Sequence, residues 1–186
     1  MKPETLNERQ LIQACLAHNR LAQKQLYETL ALPMFRLCFR YLRSREEAEE
    51  VMAGGFLKAF DHLKRFEDRG PGSFEAWVRR IMVNECLMAL RKQRPVFVDV
   101  GDELAATPAQ DCADAQLDAE DLYELIRTLP TGYRTVFNLY VIEGYSHREI
   151  AAQLNISEST SKSQLSRARA LMQQRIRQQE QKYVQE

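Results

Sequence analysis

The sequence has no run approaching the roughly 18 uncharged apolar residues that a membrane-spanning helix needs. Its first residues, Met1-Lys2-Pro3-Glu4-Thr5, hold no apolar signal core. A cytoplasmic protein is the expectation. Cysteine is sparse: Cys15, Cys38, Cys86 and Cys112 stand far apart, and no Cys-x-x-Cys pair suggests a zinc ribbon or redox motif. Cys15 and His18 form a Cys-x-x-His, but no second ligand pair follows at finger spacing, so no metal is expected. There is also no glycine-rich phosphate loop and no nucleophile motif, and the three histidines are scattered. These absences argue against an enzyme and against a cofactor.

Net charge is missing too, since 26 Lys plus Arg balance 26 Asp plus Glu. That average hides a pattern. Residues 1–94 carry 17 basic and 12 acidic side chains, residues 95–126 carry none and 9, and residues 127–186 carry 9 and 5. Two basic blocks flank an acidic one, an arrangement compatible with nucleic-acid contact at both ends.

Apart from Val96-Phe97-Val98-Asp99-Val100, apolar residues recur at spacings of three and four, so an all-α fold is predicted. A first helix is expected from Leu6 to His18, burying Leu11, Ile12, Cys15 and Leu16. A second should start near Arg20 and break at Pro33, because proline removes a helix hydrogen bond. It resumes through Met34, Leu37, Cys38, Tyr41 and Leu42. A third runs from about Arg45 to Phe66, opened by Glu46, Glu47, Glu49 and Glu50, whose charges favour a helix N-terminus. Residues 67–73, with Gly70, Pro71 and Gly72, form a loop before a fourth helix from Phe74 to about Arg94. Residues 95–118, rich in acid and interrupted by Pro95 and Pro108, read as a linker. From Ala119 helical periodicity returns with Leu122, Leu125, Ile126 and Leu129, giving a second domain over 119–186.

The segment from Gly144 to Ser157 is the most informative. Ser146 and Glu149 stand in the Ser-x-x-Glu relation of a capping box, which starts a helix. Ile150, Ala151 and Leu154 give that helix an apolar face, and Asn155-Ile156-Ser157 is a turn whose serine can cap the next helix. Two helices so joined form a helix-turn-helix. In the second, Leu165, Ala168 and Met172 should face the core. The opposite face then presents Ser159, Lys162, Ser163, Ser166 and Arg167, donors suited to a major groove. Arg169, Arg175 and Arg177 add charge for phosphates. His147 is read as a phosphate or surface contact.

The strings Leu129-Pro130-Thr131-Gly132-Tyr133-Arg134-Thr135-Val136-Phe137, Tyr145 through Ala151 and Ser157 through Arg169 closely resemble region 4 of bacterial RNA polymerase sigma factors. The extracytoplasmic-function (ECF) subfamily is the nearest match. Phe56-Leu57-Lys58-Ala59-Phe60, Arg65-Phe66, Ser73 through Val78, Asn84 and Leu90-Arg91-Lys92 resemble region 2 of the same subfamily. The resemblance covers about residues 20–94 and 120–177.

It implies a sigma factor that binds core RNA polymerase and promoter DNA and is held in check by an anti-sigma factor. Region 2, residues 1–94, would grip the polymerase core through Glu46, Glu47, Glu49, Glu50, Ala53, Gly54 and Lys58. It would read and melt the minus-10 element with Gly70, Ser73, Phe74, Arg80, Asn84, Arg91 and Lys92, the loop 70–73 receiving a base flipped from the duplex. An extruded base needs a pocket to offset the lost stacking. Phe74, Trp77, Arg79 and Arg80 are available for single-strand capture, although Trp77 lies at helical spacing with Ile81 and reads as core. Region 4 would read the minus-35 element with Ser157, Ser159, Thr160, Lys162, Ser163, Ser166, Arg167 and Arg169. The acidic linker would thread the basic RNA path of the polymerase, or serve simply as a solvated tether.

One departure stands out. Where the family usually has Gln and an acid before the Phe-Leu-Lys string, this chain has Ala53-Gly54 followed by Gly55, and each glycine weakens a helix by about 1 kcal/mol relative to alanine. A second reading, an autonomous helix-turn-helix regulator whose N-terminal block dimerises or senses, stays open on the residues alone.

Overall fold

A computed structural model describes residues 8–93 and 119–183, all secondary structure among them being helical. The acidic linker and the Val96–Val100 segment lie outside the described residues. Chain contacts group into two compact units that divide after Leu90.

In the first unit, α1 (Glu8–Leu16) buries Leu11, Ile12 and Cys15 and stops before His18, whose φ of 58° is left-handed. Asn19 then caps α2 (Arg20–Tyr41), its Oδ1 accepting from the amides of Leu21 and Ala22 at 2.9 and 3.2 Å. The break expected at Pro33 is absent: α2 runs straight through it. An interior proline costs about 3 kcal/mol. Met34, Leu37, Cys38 and Tyr41, directly after it, are at 0% exposure, and full burial of one such apolar side chain contributes about 1.5–3 kcal/mol. Packing therefore outweighs the lost hydrogen bond.

Ser44 starts α3 (Arg45–Asp61), its hydroxyl accepting from the Glu47 amide at 3.3 Å. The helix ends at His62, short of the Phe66 expected, and a single tighter 3-10 turn over Leu63–Arg65 follows. Leu63 anchors that turn in the core. The fourth helix, α4 (Ser73–Gln93), lays Phe74, Val78, Met82, Val83, Cys86, Leu87 and Leu90 inward. Gly55 explains itself here. It is buried, and a Cβ built on it would stand 2.4 Å from Met82 Sδ, so any larger residue there requires the end of the Met82 side chain to shift.

The second unit comprises α5 (Ala119–Thr128), α6 (Thr131–Phe137), a π-helical turn over Asn138–Ile142, α7 (His147–Leu154) and α8 (Glu158–Tyr183). Leu125, Ile126 and Leu129 are buried as expected, while Leu122 remains 37% exposed. Leu139, Ile150, Leu154, Leu165, Ala168 and Met172 complete the core. Arg134 is buried with them at 2% exposure, and its Nη1 donates to the carbonyls of Leu129 at 3.1 Å and Arg127 at 3.3 Å. A fixed cation thus satisfies carbonyls at the end of α5, where the helix dipole favours positive charge.

Candidate nucleic-acid interface

The helix-turn-helix forms as its caps dictate. Glu149 Oε2 accepts from the Ser146 amide at 2.8 Å while Ser146 Oγ accepts from the Glu149 amide at 3.3 Å, closing the capping box. Asn155 takes a left-handed φ of 54° and ends α7, the Ile156 amide reaching back to Ala151 O at 3.1 Å. Asparagine is among the few side chains that tolerate this conformation. Ser157 then caps α8, accepting from the Thr160 amide at 2.9 Å and meeting the hydroxyls of Ser159 and Thr160 at 2.7 and 2.8 Å.

The Ser157 cap fixes where α8 begins, and apolar spacing decides which side packs inward. Leu165, Ala168 and Met172 turn inward with Ser161 and Gln164. Ser159, Lys162, Ser163, Ser166 and Arg169 face solvent, and Thr160 and Arg167 are half-buried. Ser163 Oγ donates to Thr160 O at 3.0 Å, which leaves the hydroxyl's lone pairs as acceptors. Further along, Arg175 is half-buried and Arg177 exposed. The exposed face mixes small donors with long cations, the composition that reads base edges and phosphates in a major groove.

His147 sits behind this face. Its Nδ1 shares a 2.9 Å hydrogen bond with Ser161 Oγ on α8, and its ring stacks on Tyr140 from the π turn, centroids 4.4 Å apart and planes 20° apart. Burial, helped by Lys162 and Arg169 and opposed by Glu158, holds its pKa below the usual histidine value. The imidazole is therefore neutral near pH 7. No sequence signal foretold this three-element contact, because it depends on the π turn.

In the first unit a cleft of about 390 Å³ is lined by Arg65, Phe66, Glu67, Arg69, Ser73, Ala76, Trp77 and Arg80, so the loop 67–73 borders it through Glu67, Arg69 and Ser73 and not through Gly70. The volume lies within the range of small-ligand sites. Asp68 organises the loop: Oδ1 accepts from the Gly70 amide at 3.0 Å, and Oδ2 pairs with Arg9 of α1 at 3.0 Å. Ser73 Oγ accepts from the Arg69 amide at 3.2 Å. Gly70 and Gly72 both have positive φ, 106° and 78°, which L side chains rarely adopt.

Three aromatic rings cluster beside this loop, of which Phe66 and Trp77 line the cleft. Phe66 meets Phe74 edge-on at 5.2 Å and Trp77 at 5.5 Å, and Phe74 and Trp77 are 5.9 Å apart. Phe74, expected to touch DNA, is 2% exposed. It packs in the core beneath the cleft and cannot present its ring to a strand. Trp77 is only half-buried and lines the cleft, so it is not the plain core residue its spacing suggested. Arg80 lines the cleft and is exposed. Asn84, Arg91 and Lys92 are exposed farther along α4, outside the cleft. Sequence reasoning did not assign Arg65, Phe66 or Arg69 to the site; the first two follow from a 3-10 turn that is a tertiary outcome, and Arg69 from the loop after it.

The acidic start of α3 presents Glu46, Glu49 and Glu50 to solvent, with Glu47 half-buried. Ser44 Oγ donates to Glu46 Oε2 at 2.6 Å, and chiefly this bond, with a backbone amide and Arg45, lowers the Glu46 pKa. Glu49 pairs with Arg45 at 2.8 Å. Ala53 is exposed, and nothing lies within 4 Å of a Cβ on Gly54. Lys58, one of the expected polymerase contacts, is engaged at 2.7 Å by Glu85 of α4.

Among the described residues no group of three or more His, Cys, Asp or Glu is placed to hold a metal ion, and no helix is long and apolar enough to cross a membrane. A capped helix-turn-helix with a basic outer face, accompanied by a separate helical unit, defines a DNA-binding protein of transcription. Residues 26–96 match the family Sigma-70 region 2, and residues 119–172 match Sigma-70, region 4. The chain is 31% identical over 157 residues to the ECF RNA polymerase sigma factor SigW of Bacillus subtilis, covering 77% of this chain and 83% of that protein. It is 28% identical over 170 residues to the ECF sigma factor SigM of Mycobacterium tuberculosis, covering 88% and 82%. With SigE of Mycolicibacterium smegmatis it shares 29% identity over 143 residues, 73% of this chain but only 54% of the relative. Among solved structures, the sigma factor RpoE in complex with the anti-sigma factor NepR from Bartonella quintana is 26% identical with a TM-score of 0.48, covering 81% of this chain and 96% of that one. The chain belongs to the sigma-70 family and, within it, to the ECF sigma factors.

Proposed function

We propose that this sigma factor carries no chemistry of its own and works by dividing promoter contacts between its two units in the cytoplasm. Residues 1–94 act as region 2, residues 95–118 as the acidic connector, and residues 119–186 as region 4. The observation that carries the reading is α8, whose Ser159, Lys162, Ser163, Ser166 and Arg169 form one exposed face opposite a buried apolar one. That face reads the minus-35 element, with Ser157 and Thr160 shaping the helix start and Arg167 at its edge. The cleft beside Gly70–Ser73 takes a flipped base of the minus-10 element. Phe66 and Trp77 supply aromatic surface there, Arg65, Arg69 and Arg80 supply charge, and Phe74 supports the wall from below. Asn84, Arg91 and Lys92 follow the strand along α4. Glu46, Glu47, Glu49, Glu50, Ala53, Gly54 and Lys58 form the surface offered to core RNA polymerase. An anti-sigma factor completes the partner set and covers these surfaces until a signal releases them.

The test is in vitro transcription with purified bacterial core polymerase and a library of promoter fragments, with and without this chain. Transcripts starting at defined sites only in its presence support the reading and yield both promoter elements. Their absence, with a specific duplex shifted by the chain alone, would instead establish an autonomous regulator.

A further inference from the structure

The apolar seam of α8 holds the helix against its unit but does not strongly fix its rotation, because hydrophobic contact is non-directional. With side chains reaching about 5–6 Å from the axis, a turn of about 20° moves their tips by about 2 Å. That shift exceeds the tolerance of a hydrogen bond to a base edge. A directional contact near the reading face is therefore needed, and one is present. Ser161, fully buried and next in sequence to exposed Lys162, shares its hydroxyl with His147 Nδ1 at 2.9 Å. His147 is the first residue of α7, and the Ser146–Glu149 box already caps that helix. The imidazole is thus not required by α7 itself. Its other contact is the Tyr140 ring at 4.4 Å, presented by the π turn.

We propose that His147 is a positioning residue for DNA reading: braced on Tyr140, it sets the rotation of α8 through Ser161 and so decides which α8 side chains meet the bases. The inference rests on the minus-35 assignment made above. The π turn gains a purpose from it, since its i to i+5 bond from Glu143 N to Asn138 O reshapes the turn that carries Tyr140 toward α7.

The experiment uses the full chain with core polymerase on promoter libraries in which the minus-35 and minus-10 elements are randomised separately. Ser161→Ala removes one oxygen, His147→Phe keeps the stack without the hydrogen bond, and His147→Asn restores a polar atom near the place of Nδ1. Ser161→Ala and His147→Phe are expected to relax base preference at the minus-35 element by about tenfold, the worth of one bidentate base contact. Preference at the minus-10 element and binding to core stay unchanged, and His147→Asn recovers most of the discrimination. A general loss of stability would lower transcription without changing which bases are preferred. If Ser161→Ala keeps the wild-type preference within about twofold, or His147→Asn loses as much as His147→Phe, the proposal is overturned. Should His147→Phe fail to fold by circular dichroism, Ser161→Ala decides alone. A wild-type chain that directs no transcription at all sinks the minus-35 reading instead, a distinguishable failure.

Discussion

Replacing Gly55 by alanine sets two effects of known size against each other. Alanine favours a helix over glycine by about 1 kcal/mol, which would stabilise α3. The added methyl, however, lands 2.4 Å from Met82 Sδ, in a side chain at 0% exposure with no solvent to move into. Overpacking of this kind costs about 1–3 kcal/mol, so the net change runs from neutral to a loss of about 2 kcal/mol. The neighbouring Gly54→Ala is the internal control, since nothing lies within 4 Å of its new methyl. It should gain most of the propensity term. The two variants should differ by about 1–3 kcal/mol although both make the same chemical change at consecutive positions of one helix. Urea unfolding followed by tryptophan fluorescence measures this cleanly, because the chain's one tryptophan, Trp77, lies in the first unit. Met82→Ala should cost less in the Gly55→Ala background than alone, by at least about 1 kcal/mol of coupling. Equal stability of the two glycine variants would show that α3 and α4 are not in the contact described.

Four further outcomes are expected. Ala53→Gln with Gly54→Glu points into open space on α3 and should tighten binding to core polymerase in a competition assay; no change would mean that this helix is misaligned with the family. Ser146→Ala removes the cap of α7 and should lower the melting temperature of the second unit by the equivalent of about 1 kcal/mol. His147 has a folded-state pKa below its unfolded value, so its contribution to stability is complete above about pH 6.5 and is lost as pH falls through the folded pKa. Nuclear magnetic resonance should find its imidazole titrating below the ordinary value, and His147→Phe should flatten that part of the stability profile. Arg177→Ala should weaken promoter binding across sequences and reduce the slope of log affinity against log salt by about 0.9, one phosphate's share.

The helix-turn-helix was legible because its signals are local: the Ser146–Glu149 box, the Asn155 turn and the Ser157 cap each need only three or four residues of sequence. Helix periodicity gave the buried row of α8 for the same reason. Pro33 misled, since a residue's intrinsic cost says nothing of the fully buried row behind it. The role of Gly55 was invisible because its partner Met82 comes 27 residues later, and glycine reads as weakness until that neighbour is placed. The cleft at 65–80 was half legible. Ser73 and Arg80 were seen, whereas Phe66 and Arg65 depend on the 3-10 turn, and Phe74 and Trp77 exchanged their expected places. The π turn carries no sequence pattern of its own, so the contact of Tyr140 with His147 could come only from the fold.

Arg134 bears on how this protein can be cut. Its guanidinium lies inside the second unit and donates to the carbonyls of Arg127 in α5 and Leu129 just after it. A fragment begun after Leu129 would take these two acceptors from a permanent cation, and breaking the contacts of a buried charge costs several kcal/mol. The smallest piece able to display the DNA-reading helix on its own must therefore start upstream of α5, at the acidic connector, even though no residue of α5 belongs to the reading face.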